Sequence, residues 1–449
     1  MKSIAKWWND QWFRPAPLLD LAAFRIVAVG AQLLLMINWN PLAGEFPHLV
    51  QLRYLYQPLF VIRILSLPFG WGAFPTMPTL HAIFWATVLF GVLALVGLWT
   101  NVVMALFAIG CVYLQGFAYS FQELHHPEAL MMLALVTLAL SPCGRRLSLD
   151  DLLQRLSGVN ARPKFHPGDL LAESPYARWP IRMMAWLYGL IYLSAAYWKS
   201  RNAGLAWMNG YTLQYYLLQD ALRFNIPIGL WMASRHGLAV LLSAGAMLFE
   251  ATFWLVIPFP KLLALYAPAG FGMHAGILLT MKAGFWEYLA LYGAFVPWSA
   301  IALRARRTSE RQAEAPSLVY DGHCYLCLRS MTVIDFFDWA GRVRYHDLED
   351  SASMAKFSDL GIQKEDARRE IHLILPGGRI FRGFFAFRRL CWTMPAFWPL
   401  LPLFYAPGAS IVGPAVYARV ARARRRFIVC DTGSCEIHGA PSSTAARSS

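Results

Sequence analysis

Two cysteines three residues apart close the segment Tyr320-Asp321-Gly322-His323-Cys324-Tyr325-Leu326-Cys327. The apolar run Leu318-Val319-Tyr320 reads as a strand, Asp321-Gly322 turns the chain, and a helical pattern follows from Cys324 to Trp339. Cys324 is then expected at the start of a helix, where open backbone N–H groups and the helix dipole favour a thiolate. Spacing of i, i+3 puts Cys327 on the same helix face, able to attack a mixed disulfide formed on Cys324. Cys324 is therefore the expected attacking thiol and Cys327 the resolving one. His323 either lowers the Cys324 pKa further or stands as a solvated turn histidine. The competing chemistry is half of a zinc site, which needs two more ligands from Cys430, Cys435 and His438. Their distance in sequence favours redox, with no metal. Cys430 and Cys435 read as a second dithiol exchanging with the first, or as two plain tail thiols. Cys111, Cys143 and Cys391 stand in apolar surroundings and read as packing residues.

A second set of reactive groups lies inside apolar sequence. Arg25, the pair His125-His126, Lys199 and Glu250 interrupt runs of residues otherwise suited to lipid, and an ionisable group there is expensive enough to suggest function. His126 is expected to open a helix at the outer face of a bilayer and Lys199 to close one at the same face, so both can share a pocket. A lysine among Tyr197, Trp198 and Trp207 suits a general base. The bland reading is a lysine that snorkels to the headgroups and a histidine in water.

The elements that must position these groups fall into two kinds. Of 449 residues 57% are hydrophobic and 15% charged, and the mean hydropathy is +0.41. Such a chain excludes a disordered protein, a disulfide scaffold and a single soluble domain. Eight apolar runs are expected to span the membrane, at about 18–38, 79–99, 101–120, 125–142, 181–198, 237–257, 261–281 and 285–303. Residues 47–72 and 205–233 read as interfacial helices or further spans. The first residues, with Trp7, Trp8, Trp12 and Phe13, form an amphipathic lead-in and not a cleaved signal. The net charge of +14 fits Lys and Arg kept in cytoplasmic loops better than nucleic-acid binding. Arg145, Arg146, Arg155, Arg162, Lys164 and Arg178 fill the 143–180 loop, and Arg304, Arg306, Arg307 and Arg311 follow the last span. This bias places the N-terminus and the thiol domain in the cytoplasm of a bacterial-type inner membrane. The Arg422 to Arg426 cluster suits anionic lipid or a helix end.

Residues 304–316 read as a charged linker, 317–438 as a soluble α/β domain and 439–449 as a disordered tail. The expected elements after the dithiol helix are a strand at 342–348, a helix at 352–361, a hairpin over Ile371 to Phe381, and helices at 384–394 and 410–427.

Residues 317–427 resemble the DCC family of thiol-disulfide oxidoreductases on Asp321, Cys324 and Cys327, on Gly377-Gly378-Arg379-Ile380-Phe381-Arg382-Gly383, and on the segment from Tyr417 to Arg426. The resemblance implies a thioredoxin-like fold and a redox-active disulfide at the CxxC, with Asp321 in support. The usual Pro after the first cysteine is Tyr325 here, so no redox potential transfers. The words Tyr192-Leu-Ser-Ala-Ala-Tyr-Trp-Lys199, Trp207-Met-Asn-Gly210, Phe24-Arg25 and His126-Pro-Glu-Ala-Leu130 through Asp150 resemble the HTTM family, the membrane fold of vitamin K-dependent γ-glutamyl carboxylase. That resemblance implies Lys199 as base and His126 as electrostatic stabiliser beside a bound hydroquinone. The family's usual Asn before the histidine is His125 here.

The expected architecture is thus a multi-pass α-helical membrane bundle of about eight spans followed by an α/β thioredoxin-like domain. Three functions fit: a membrane-bound thiol-disulfide oxidoreductase acting on client protein or peptide thiols, whose bundle binds a quinone or hydroquinone; a non-enzymatic membrane scaffold or maturation factor for a secreted peptide; and a quinol-dependent carboxylase-like enzyme.

Overall fold

A computed structural model describes residues 2–121, 126–161, 164–311, 315–358, 360–422, 424, 427–429 and 435–437. The chain divides into two compact units. One holds Met1–Asp150 and Leu171–Trp298, the other Asp151–Leu170 and Ser299–Ser449.

In the first unit five helices are long and apolar enough to cross a bilayer: Leu18–Trp39, Met77–Val96, Thr100–Tyr119, His236–Val256 and Pro260–Met281. The protein is accordingly an integral membrane protein. Five helices among the described residues meet this test of length and composition, where eight runs were expected, and the remaining runs take other forms. The run at 125–142 yields a helix of 14 residues, His126–Ala139, too short for the hydrocarbon core. The run at 181–198 belongs to a 26-residue helix, Arg178–Ala203, whose arginines and Lys199 lower its hydropathy. The run at 285–303 breaks at Val296-Pro297, with a short helix Trp286–Leu291 before it and Trp298–Arg311 after it. Of the two uncertain stretches, 47–72 holds only short helical pieces, and 205–233 holds Tyr211–Phe224 and Pro227–Ala233.

Arg25 shows how this unit accommodates a cation. Its guanidinium is fully buried and donates to the carbonyl oxygens of Cys143 at 3.0 Å and Leu147 at 2.6 Å. Open carbonyls near a helix end thus replace water. Gly97 makes room for this: it ends the Met77–Val96 helix at φ 73°, and a Cβ there would lie 2.4 Å from Ser148 Cβ and 2.9 Å from Arg25 Nη1. Asp150 completes the corner by accepting the backbone N–H groups of Trp99 and Thr100 at 2.8 and 2.7 Å, which caps the Thr100–Tyr119 helix.

The second unit contains a four-stranded mixed sheet. Its strands are β1 (Ser317–Tyr320), β2 (Arg344–Asp347), β3 (His372–Ile374) and β4 (Ile380–Arg382), in the order β2-β1-β3-β4. Strands β1 and β2 are parallel, and the other pairs are antiparallel. The Gly377-Gly378 turn, with φ of 88° and 81°, closes the β3–β4 hairpin. The crossover from β1 to β2 is the helix Tyr325–Phe337, which buries Cys327, Leu328, Met331 and Ile334 at helical spacing. Val159 and Phe165 join this core from the stretch 151–170. Phe165 lies edge-on to Tyr320 with centroids 5.8 Å apart, and Asp335 Oδ2 accepts the Gly168 N–H at 2.7 Å. A segment expected as a plain cytoplasmic loop is therefore in part a wall of the thiol unit.

Candidate functional site

Strand β1 delivers the chain to the dithiol, and the parallel register with β2 supports the turn that follows. Pairing of Tyr320 with Asp347 sets the Asp347 carboxylate under the loop, where Oδ1 accepts the N–H groups of Gly322 and Glu349, each at 3.0 Å. A Cβ on residue 322 would fall 2.0 Å from Asp347 Oδ2, so glycine is required there by this close approach. Asp321 accepts the His323 N–H at 3.0 Å through Oδ1, tightening the turn, and its own carbonyl accepts the Cys324 N–H at 3.2 Å.

Cys324 is the N-cap of the Tyr325–Phe337 helix. Its backbone is extended, at φ −116° and ψ 117°, and its sulfur accepts the Cys327 N–H at 3.4 Å. This is the role that Ser or Asp oxygen usually fills, performed here by a group that gains acidity from it. The Cys324 thiol is pulled below the ordinary cysteine value, first by the Cys327 S–H and then by the Cys327 backbone N–H. Burial and Asp321 oppose that pull, and Arg424 adds to it. Cys327 moves the other way: sharing its proton with the Cys324 sulfur, together with burial, holds it protonated. The pair is thus differentiated, with one sulfur poised to attack and the other holding a proton until needed. Both are free thiols.

Cys324 is nonetheless fully covered and Cys327 is 6% exposed. Tyr417, on the helix Ala409–Arg422, packs on the same apolar core as both cysteines. Tyr417 Oη accepts the Ile371 N–H at 3.1 Å and a second bond from Arg424. Arg424 also donates to the carbonyls of Arg368 and Arg369, at 3.3 and 3.0 Å. These contacts tie residues far along the chain to the dithiol's electrostatics. Neither Tyr417 nor Arg424 was expected as a site residue. The sequence signals were the family resemblance of the segment from Tyr417 to Arg426 and its arginine cluster, in which no spacing distinguishes Arg424 from its neighbours.

The His323 ring lies 3.8 Å from Glu349 Oε1, in a network that also holds Lys364 and Arg368. A carboxylate just after β2 is thus one partner of this ring. Cys435 begins a short strand, Cys435–Ile437, paired with Phe427–Val429, and its side chain lies outside the described residues, as do Cys430 and His438. Among the described residues no group of three or more His, Cys, Asp or Glu could hold a metal ion.

In the membrane unit Lys199 lines a cavity of about 1530 Å³. Its Nζ lies 2.6 Å from both carboxylate oxygens of Glu250 and 5.2 Å from the ring centroid of Trp207. His274 and Tyr192 line the same cavity, and the Tyr192 hydroxyl meets His274 Nε2 at 2.8 Å and Tyr292 Oη at 2.6 Å. The rest of the wall is mainly aliphatic. His126 begins the helix His126–Ala139, but its side chain and all of His125 lie outside the described residues. The histidine seen with Lys199 is His274. It sits in the apolar run at 261–281 with no motif around it to single it out.

Comparison with protein families matches residues 318–429 to the DCC1-like thiol-disulfide oxidoreductase model. Comparison with curated proteins and with solved structures found no match.

Proposed function

We propose that the protein is a membrane-integral thiol-disulfide oxidoreductase in which Cys324 attacks and Cys327 resolves. The observation that supports this reading best is the Cys327 N–H donated to the Cys324 sulfur at a helix start, inside the region similar to DCC1-like proteins. The Cys324 thiolate attacks one sulfur of a client disulfide. The client S–S bond breaks, the leaving sulfur takes up a proton, and a mixed disulfide forms. Cys327 then loses its proton and attacks the Cys324 sulfur, expelling the second client sulfur as a thiol. Two electrons and two protons pass to the client, which is reduced, and the Cys324–Cys327 pair is oxidised to a disulfide. The reverse sequence oxidises a client dithiol. Because Cys324 is covered, turnover requires its roof to open or the client to displace it.

The test is capture of the intermediate. In Cys327→Ser the resolving sulfur is gone, so a disulfide-bearing peptide should accumulate as a mixed disulfide on Cys324, released by dithiothreitol. A Cys327→Ser protein that is folded and never acquires the peptide would overturn the reading.

A second reading concerns the membrane unit, and the Lys199–Glu250 pair inside an apolar cavity favours it. The lining suits a hydroquinone: aliphatic walls for an isoprenoid tail, with Lys199 and the Tyr192–His274 pair as polar partners for the ring oxygens. Such a carrier supplies two-electron chemistry when bound. Lys199 would hold and release a proton there, with Glu250 fixing its position. Ubiquinol or menaquinol binding that persists unchanged in Lys199→Met would sink this reading.

A further inference from the structure

The C-terminal part of the thiol unit carries an apolar surface turned away from its own core. In the helix Ala409–Arg422 the residues facing the domain are Ala409, Gly413, Tyr417 and Ala421, four apart. Gly413 packs on Phe384, and Tyr417 lies over Gly383. The opposite face holds Ile411, Val412, Val416 and Val420, all exposed, with Ile411 at 79%. Upstream, Trp398 and Leu403 are also bare, the latter at 70%. A soluble surface rarely groups apolar side chains in this way, and their clustering on one segment marks an interaction face.

Charge and shape choose the partner. From Ile371 to Val429 there is no Asp or Glu, while arginine stands at 379, 382, 388, 389, 419, 422, 424, 425 and 426. Arg419 and Arg422 are exposed on the same helix as the valines. An anionic, apolar-floored surface complements that pattern, and exposed Trp392, Trp398 and Tyr405 supply the aromatic rings that favour a headgroup boundary. The pieces Pro395–Phe404 and Ala409–Arg422 are together apolar enough for a span but meet at 109°, so they cannot cross as one rod. Arg388 holds this corner, its guanidinium 3.9 Å from the Tyr405 centroid and 2.7 Å from Ser410 Oγ. We propose that this bent segment lies in the interface of an anionic bilayer, with Ile411, Val412, Val416 and Leu403 in the acyl boundary and Arg419 and Arg422 among lipid phosphates. The chain's own spans supply such a membrane. The inference stands independently of the redox reading.

The experiment places a photoreactive diazirine amino acid at Ile411 or Val416, or at exposed Glu365 as control, in the full chain in nanodiscs of phosphatidylcholine with or without phosphatidylglycerol. After irradiation, mass spectrometry identifies the adduct. Phospholipid adducts at 411 and 416 should exceed those at 365 at least about fivefold, and more with phosphatidylglycerol. Arg419→Gln with Arg422→Gln should lower the phosphatidylglycerol preference at least about threefold. Lipid capture no greater than at 365 would overturn the proposal, as would capture of a second copy of the chain in place of lipid.

Discussion

The dithiol and the Lys199–Glu250 pair both hold reactive groups out of water, but they reach that state by different routes. Cys324 is tuned mainly by a residue three positions away on the same helix, through one backbone N–H and one thiol. Lys199 is held by a carboxylate 51 residues away on another helix, with Trp207 beside it. Local chain geometry builds the first environment and helix packing builds the second. A site of the first kind survives rearrangement of distant elements, whereas a site of the second kind fails when one packing partner is lost.

The largest expected effect tests the local site. Cys324→Ser should reduce disulfide exchange at least about 100-fold, to background, with no change in thermal unfolding. A fall in activity that tracks a fall in stability would mean that Cys324 is a packing residue. Next, Glu250→Ala leaves the Lys199 ammonium without its carboxylate in the cavity. It should destabilise the membrane unit by about 2–4 kcal/mol in detergent, and Lys199→Met with Glu250→Leu should recover most of that loss. If the single variant is neutral, the ion pair contributes nothing and the contrast between the regions weakens. Third, Gly97→Ala forces a side chain into positive φ against Ser148 and the Arg25 guanidinium, and about 2–3 kcal/mol should be lost by the same assay.

The smallest effect concerns pH. Because Cys324 titrates below an ordinary cysteine, its alkylation by iodoacetamide should reach half its maximum on the acid side of that of an unfolded control. Arg424→Gln should move the midpoint upward, and Cys327→Ala should move it further, since Cys327 is the larger cause. The stability sign follows. Between the lowered Cys324 value and the ordinary 9.0 the unfolded state binds more protons, so the reduced protein gains stability as pH rises. Above that, the raised Cys327 reverses the trend. An unchanged midpoint in Arg424→Gln would remove Arg424 from the site.

The thiol unit was the more legible part. Most of the strands and helices expected between Ser317 and Thr393 appear within a few residues of their positions, because alternation, the Pro376-Gly377-Gly378 turn and the Asp321-Gly322 turn are short-range signals. The helix expected at 410–427 ends at Arg422 instead, with a strand at Phe427–Val429, and the helix Lys364–Arg369 was not expected. The membrane unit was less so. Apolar composition identifies helices but does not show where they stop, and Pro297 breaks a run without changing the local hydropathy much. Position 199 stood out on composition, and Glu250 was noted beside it as a second interrupted run, yet nothing in either run paired them.

By itself the sequence determined the two-part character of the chain, a polytopic apolar part and a polar α/β part, and the placement of a CxxC at a strand-to-helix turn. These follow from composition and from interactions between residues a few positions apart. Only the tertiary structure decided that Lys199 meets Glu250, that Arg25 finds the carbonyls of Cys143 and Leu147, that residues 151–170 complete the thiol unit, and that Tyr417 packs on the core that holds both cysteines and bonds Arg424. A buried polar group must find a partner, but periodicity carries no label for which of several candidates it takes. That choice is made when helices and strands pack.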